Sequence, residues 1–230
     1  MMNTRTAIIA CVAVGLASAL PVSRSFAQED AEASRKGVEL AKKGDYNGAA
    51  AEFTKAIKAN PKNGNHYSNR GKAYRAANKF DEAEADFTKL VELNAENADA
   101  YSERGKVRVS QKKYDEALED LNKALELDED DVDTKRFRAF AYLSKQDFDK
   151  AIEEYSELLE KNSKDVEAHR RRGYAYVSKG EKEKAAADFK AVLQAKPNDA
   201  DATTRLKALE GKGAAPGASP AAAGAPPAAR

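Results

Sequence analysis

The chain has 230 residues, 42% of them hydrophobic and 33% charged, which allows a medium-sized domain but is too polar for a single large core. Its 39 basic and 38 acidic residues leave a formal net charge of +1, so no overall field would draw it to nucleic acid or to an anionic membrane. Trp is absent, and the abundance of Ala, Glu, Lys, Leu and Arg is typical of long or repeated helices. The composition therefore predicts an all-α protein whose partners are selected by local patches.

The N-terminal segment has the pattern of an export signal. Arg5 supplies a positive charge, an apolar run follows from Ala7 to Leu20, and Pro21 ends it. Small residues in the segment Ser25-Phe26-Ala27 stand where a signal peptidase reads, which predicts a signal peptide over residues 1–27 with cleavage after its last alanine. We therefore expect a periplasmic or secreted protein.

Two alternatives stay open for this segment. It could remain as a membrane anchor, but the apolar run is shorter than the ~20 residues that a spanning helix needs, so we predict no stable membrane insertion. It could also carry a lipid on Cys11, the only cysteine of the chain. If the leader is removed together with Cys11, the mature chain contains neither a thiol nor a disulfide.

Three series of residues recur with a spacing of 34 through the middle of the chain. Small residues form the first series, at Gly37, Gly71, Gly105, Ala139 and Gly173, and alanines form the second, at Ala49, Ala83, Ala117, Ala151 and Ala185. Large residues form the third, at Phe53, Phe87, Leu121, Tyr155 and Phe189. Three series in phase predict five repeated units, over residues 30–63, 64–97, 98–131, 132–165 and 166–199.

Each unit has the pattern of two antiparallel helices joined by a turn. In the second unit, apolar residues recur at helical spacing from Tyr67 to Tyr74, a polar break follows at Asn78, and the spacing resumes from Ala83 to Val91. The paired small residues Gly71 and Ala83 would allow the two helix backbones to approach closely. One such pair cannot bury both of its faces, so neighbouring units are expected to stack.

Three segments carry a recognisable repeat motif: Asn69-Arg70-Gly71-Lys72-Ala73-Tyr74, Lys79-Phe80-Asp81-Glu82-Ala83 and Ala56-Ile57-Lys58-Ala59-Asn60-Pro61. With these segments the sequence resembles the tetratricopeptide repeat (TPR) family over residues 30–199. The resemblance implies a right-handed superhelical solenoid of five repeats with a C-terminal capping helix over 200–209, so that the repeat domain spans 30–209. The remaining residues, 210–230, are rich in Ala, Gly and Pro and predict a disordered tail, either a tether or a dispensable end.

No arrangement of residues in the sequence predicts an enzyme. The two histidines, His66 and His169, lie three units apart, too far for one metal ion or one catalytic pair. The acidic run Asp128–Asp133 lacks the glycine and the distal glutamate of a calcium loop, so we interpret it as a solvated turn whose aspartates complement the start of the next helix. We predict no catalytic residue, no metal site and no cofactor. A hydrolase that carries repeats is the alternative class, but the chain has no non-repeat segment large enough to house its site.

A fourth series, Arg70, Arg104, Arg138 and Arg172, stands directly before the small residue of four units. These guanidinium groups could contact a partner, or they could bond to carboxylates such as Asp86 and Asp120 inside the array. Strict periodicity favours the structural interpretation, because a partner rarely needs the same contact in every unit.

The family resemblance implies that the first helices of the units line a concave surface. The residues there that we predict to bind a peptide are Lys72, Arg75, Lys106, Arg136, Phe140, Arg170 and Tyr174. They describe a basic face with two aromatic side chains, suited to an extended segment that carries carboxylates. A basic face that is merely solvated is the alternative.

We therefore expect a non-enzymatic adaptor that binds a peptide or protein segment, acidic in character, on the concave face of a solenoid. Nucleic acid is not an expected partner, and the oligomeric state is left open. The alternative function is that of a dedicated subunit in an envelope machine for secretion, pilus formation or outer-membrane assembly.

Overall fold

The computed structural model describes residues 26–211 and 226–227, and within them the chain forms eleven α-helices and no strand. The helices are α1 (Phe26–Lys42), α2 (Tyr46–Ala59), α3 (Gly64–Ala76), α4 (Phe80–Leu93), α5 (Ala98–Ser110), α6 (Tyr114–Leu127), α7 (Val132–Ser144), α8 (Phe148–Lys161), α9 (Val166–Lys179), α10 (Lys182–Ala195) and α11 (Ala200–Leu209). Each helix packs against the next in chain order, and the first helices of neighbouring units also meet. This arrangement confirms the predicted all-α helical-repeat solenoid.

The first helices of units two to five, and the last helix, begin at a capping Asn or Asp. These caps are again 34 residues apart, at Asn63, Asn97, Asp131, Asp165 and Asp199. In the acidic run, Asp131 accepts hydrogen bonds from the backbone N–H groups of Asp133 and Thr134. This contact confirms the interpretation of the run as a helix start.

The turn inside every unit contains one residue in the left-handed backbone region. These residues are Gly44, Asn78, Lys112, Gln146 and Gly180, with φ values from 58° to 81°. Glycine adopts this conformation without a side-chain clash, whereas a left-handed residue with a side chain costs roughly 1–2 kcal/mol. Lys112 and Gln146 carry no turn signal in the sequence, so the strain in the third and fourth units is evident only in the structure.

The core is a seam in which small residues on one helix face large residues on the other. The alanines of the second series are all 0% exposed, and the large residues of the third series are at most 2% exposed. A methyl group added to Gly71 would lie 2.9 Å from Cζ of Phe87, and one added to Gly105 would lie 2.8 Å from Cγ of Leu121. The close helix approach predicted from the small residues is therefore confirmed.

The arginine series joins three helices at each step. Arg70 donates to both carboxylate oxygens of Asp86, at 2.9 and 2.6 Å, and to the hydroxyl of Thr54 at 3.0 Å. Arg104 and Arg172 repeat this pattern, and Arg138 uses Glu154 and Asn122 in the same positions. Each arginine thus connects its own helix to the second helix of its unit and to that of the preceding unit, which confirms the structural interpretation.

The two chain ends stay largely outside the described residues. Of the predicted signal peptide, residues 1–25 lie outside the described residues, and its last two residues, Phe26 and Ala27, begin helix α1. Of the predicted tail, Glu210 and Gly211 follow α11, and Pro227 is buried. Among the described helices, none has the length and apolar content that crossing a bilayer requires.

Candidate binding groove

The predicted binding residues lie on four first helices but differ in their surroundings. Lys72 and Arg75 lie on α3, Lys106 on α5, Arg136 and Phe140 on α7, and Arg170 and Tyr174 on α9. Lys72 is exposed, whereas the others are buried or half-buried against neighbouring units. The structure therefore separates Lys72 from the rest of the predicted set.

A series of ion pairs runs along the groove from unit two to the last helix. Its links join Arg75 to Glu103 at 3.1 Å, Lys106 to Asp133 at 3.0 Å, Arg136 to Asp165 at 2.7 Å and Arg170 to Asp199 at 2.7 Å. Each link connects one first helix to the next, so we call it the groove ion-pair series. Bonds from Arg170 and from the backbone of Ala202 lower the pKa of Asp199 to about 2, which keeps this link charged in mild acid.

This series corrects the predicted charge of the groove. The sequence pattern predicted the cations of units three to five on this face, but it did not predict the carboxylates that the next unit brings beside them. Because each cation there has an acidic partner, the prediction of a basic face is wrong for this part of the groove. That Arg75, Lys106, Arg136 and Arg170 bind a partner stays a prediction.

The two aromatic side chains of the predicted site are covered by arginine side chains of the protein itself. The guanidinium of Arg171 lies 4.6 Å from the ring centre of Phe140, which is 4% exposed. Arg205 lies 4.3 Å from the ring centre of Tyr174, whose hydroxyl donates to Asp201 at 2.7 Å. Burial and the bond to Asp201 raise the pKa of Tyr174 to about 12. Neither ring is therefore open to a ligand in the way that the predicted binding face requires.

The groove between units one and two lacks the ion-pair series. One unit before Arg75 the equivalent residue is Ala41, and one unit before Glu103 it is Asn69. Neither of these two residues can form the corresponding ion pair. Two adjoining clefts open at this place, with volumes of about 520 and 320 Å³. Val38 and Lys42 line both clefts.

We define the N-terminal groove as the surface of Val38, Lys42, Tyr46, Asn69 and Lys72, which line the second of these clefts. Val38 is 36% exposed and Tyr46 is 37% exposed. In the described part of the chain no carboxylate pairs with Lys42 or Lys72. The N-terminal groove therefore offers two unpaired cations beside exposed apolar surface.

The first cleft has a buried polar floor. His66 is 3% exposed, and its Nε2 contacts the carboxylate of Asp30. Asn60 donates to the other oxygen of Asp30 at 3.0 Å, which fixes α1 against the turn that precedes α3. His169 likewise contacts the Asp188 carboxylate through Nδ1 at 2.7 Å. Both histidines thus make contacts inside the array.

Four residues of the N-terminal groove were missing from the predicted site: Val38, Lys42, Tyr46 and Asn69. Asn69 was interpreted only as part of the repeat motif, and Lys42 was not considered. A signal existed for Lys42, because the equivalent residues of later units are small: Ala76, Ser110, Ser144 and Ser178. A charge that interrupts a small-residue series is a departure from the repeat, and departures indicate function better than the repeat itself.

The sequence model of the tetratricopeptide repeat matches residues 34–76, 68–132 and 138–200, which is more than half of the chain. The chain belongs to the tetratricopeptide repeat family. Comparison with the curated proteins gives no match.

Solved TPR structures share the fold of this TPR protein. A crystal structure of MamA is 26% identical, covers 76% of this chain and 96% of its own, and has a TM-score of 0.68. YrrB, described as a TPR protein with an unusual peptide-binding site, is 21% identical over 80% of this chain and 98% of its own, with a TM-score of 0.68. A TPR protein from Parabacteroides merdae is 22% identical over 80% of this chain and 75% of its own, with a TM-score of 0.71.

The family assignment fixes the general class of activity. A TPR array is a stack of helix pairs whose extended surface serves as a scaffold for protein interaction. Within residues 26–211 no three His, Cys, Asp or Glu side chains converge in a way that would hold a metal ion. The N-terminal groove is a surface of this scaffold where unpaired positive charge lies beside exposed apolar groups.

Proposed function

We propose that this TPR protein is a non-enzymatic adaptor that binds an extended peptide or protein segment in the N-terminal groove. The observation that carries the proposal is the break in the groove ion-pair series between units one and two. It leaves Lys42 and Lys72 unpaired beside Val38 and Tyr46, whereas the cations of later units are already neutralised.

The chemistry of the N-terminal groove favours an acidic segment that also carries apolar side chains. The two lysines lie on neighbouring first helices and would pair with carboxylates, while the exposed parts of Val38 and Tyr46 would lose water to an apolar side chain. The volumes of the two clefts lie in the range of roughly 300–1,000 Å³ that is typical of ligand sites. Because both lysines are solvent-exposed, binding should weaken with added salt.

The remainder of the groove supports the site instead of binding the charged part of the segment. A ligand carboxylate could reach Arg136 or Arg170 only by displacing Asp165 or Asp199, which would leave a half-buried carboxylate without its partner. The proposed ligand contacts are therefore limited to the first two units, with Arg75 at the border.

The test is affinity capture from an envelope extract at low and raised salt, with the parent protein and a Lys42→Glu/Lys72→Glu variant. We expect the variant to lose the partners that the parent releases at raised salt. The control variant, Lys58→Glu/Lys190→Glu, has the same charge change on exposed positions of second helices and should capture as the parent does. Circular dichroism must show equal helix content in all three. Equal capture by the parent and the groove variant would contradict the proposal.

We also propose that the adaptor acts outside the cytoplasm, in a bacterial periplasm or secreted, after removal of its leader. The support is the sequence pattern of a positive charge, an apolar run and small residues that ends at Ala27. Mass spectrometry of the exported protein should find a chain that begins at Gln28, and an intact leader on exported protein would contradict this. Capture of one stoichiometric partner, instead of several weakly bound segments, would favour the alternative of a dedicated envelope-machine subunit.

A further inference from the structure

Three exposed apolar side chains lie at the edge of the solenoid where the units are joined. Leu93 and Leu127 end the second helices of units two and three, and Val132 begins α7. They are 39%, 37% and 39% exposed. Only two other large hydrophobic residues in the described part of the chain are this exposed, and both belong to the N-terminal groove. The exposed apolar side chains thus form two separate surfaces.

An ion pair one unit further along shows how this edge is assembled. Lys161 contacts Asp130 at 3.2 Å, so the last residue of a second helix lies beside the turn that precedes its unit. By the 34-residue repeat, Leu127 corresponds to Lys161 and Glu96 corresponds to Asp130. From this correspondence we infer that Leu127 lies beside the turn that contains Glu96. Leu93 and Leu127 occupy equivalent positions of neighbouring units, which stack ~10 Å apart, and Val132 follows Leu127 at the start of α7.

The edge carries negative charge that the protein itself does not neutralise. Glu96, Asp128 and Glu129 are exposed, and among the described residues no cation pairs with them. The neighbouring carboxylates differ in this respect, because Glu92 and Glu126 pair with lysines one turn earlier on their own helices, Lys89 and Lys123. We call the surface of Leu93, Glu96, Leu127, Asp128, Glu129 and Val132 the acidic edge.

We propose that the acidic edge docks a basic amphipathic segment of a partner protein, at a second site separate from the N-terminal groove. The apolar side chains would pack against the apolar face of that segment, and the unpaired carboxylates would select lysine or arginine beside it. A second copy of this chain, docked edge to edge, is disfavoured because two negative surfaces would face each other.

The docking surface is confined to the middle of the array. At the position of Leu93 and Leu127, units one and five have Ala59 and Ala195, and unit four has Lys161. A helical segment of about three turns, ~16 Å long, spans the two stacked units that carry the leucines. The adaptor would then join an acidic segment in its groove to a basic segment on its edge.

The test uses a labelled synthetic helix of leucine and lysine in an amphipathic pattern, titrated with the full protein and followed by fluorescence anisotropy. Leu93→Ser/Leu127→Ser should weaken binding about tenfold, since it removes the exposed apolar contact. Glu96→Lys/Glu129→Lys should weaken it and flatten its dependence on salt. The groove variant Lys42→Glu/Lys72→Glu should bind the helix at least as tightly as the parent does, and a scrambled peptide of the same composition should bind weakly.

Two results would overturn the proposal. The first is equal affinity of the parent and both edge variants for the amphipathic peptide. The second is a concentration-dependent dimer of the parent that the leucine substitutions abolish and the peptide does not disrupt, because the edge would then be an interface between copies. Because Leu93, Glu96, Leu127 and Glu129 are exposed, the edge variants should remain helical. Circular dichroism checks this, so that a loss of binding cannot be due to unfolding.

Discussion

Arg70→Met should lower the free energy of unfolding by about 3 kcal/mol, the largest effect that we expect of a single substitution outside the core. Asp86 is 4% exposed, and the substitution removes the only cation that bonds to it in the described part of the chain. Burial raises the pKa of the Asp86 carboxyl even while Arg70 acts against that shift. A charge left in this place without a partner is therefore unfavourable.

The double variant Arg70→Met/Asp86→Leu separates the loss of the arginine from the presence of a stranded carboxylate. If the cost lies in the stranded carboxylate, the double variant is more stable than the single variant. The control is Lys89→Met, which breaks an exposed pair with Glu92 and should change the stability by less than about 0.5 kcal/mol. Urea unfolding followed by circular dichroism measures all of these variants. A double variant as unstable as Arg70→Met would contradict the explanation.

Ala83→Leu should lower the free energy of unfolding by about 1–3 kcal/mol because it overpacks the seam of unit two. Ala83 is 0% exposed, and the missing side chain of Gly71 leaves space that the ring of Phe87 already fills. Ala85→Leu on the same helix is the matched control, since Ala85 is exposed and the larger side chain can extend into water. Thermal unfolding compares the two variants. Equal melting temperatures of the two variants would contradict the prediction, because they would show that the seam accommodates the larger side chain.

The repeat predicted the parts of the fold that every unit shares. Gly71, Ala83 and Phe87 recur in phase, so their packing in one unit could be inferred from all five. The same argument identified the arginine series, because a contact such as Arg70 to Asp86 is made inside every unit that has an arginine at this position. A periodic pattern therefore predicts the contacts that all the units share.

The candidate sites could not be predicted in this way because they depend on differences between units. Glu103 neutralises Arg75 from the next unit, yet the equivalent residue one unit earlier is Asn69. The sequence of its own helix therefore indicated no acidic partner for Arg75, although the next unit supplies one. The left-handed turn at Lys112 was missed for a related reason, since tertiary packing imposes a conformation that the residue does not favour.

Photo-crosslinking tests the central proposal, binding in the N-terminal groove, most directly. A photoreactive residue placed at Val38 should crosslink to partners in an envelope extract, and raised salt or Lys42→Glu/Lys72→Glu should abolish the crosslinks. The same photoreactive residue at Glu153, an exposed position on the second helix of unit four, should give none of these products. Crosslinks that form equally at both positions, or that persist in the lysine variant, would contradict the account.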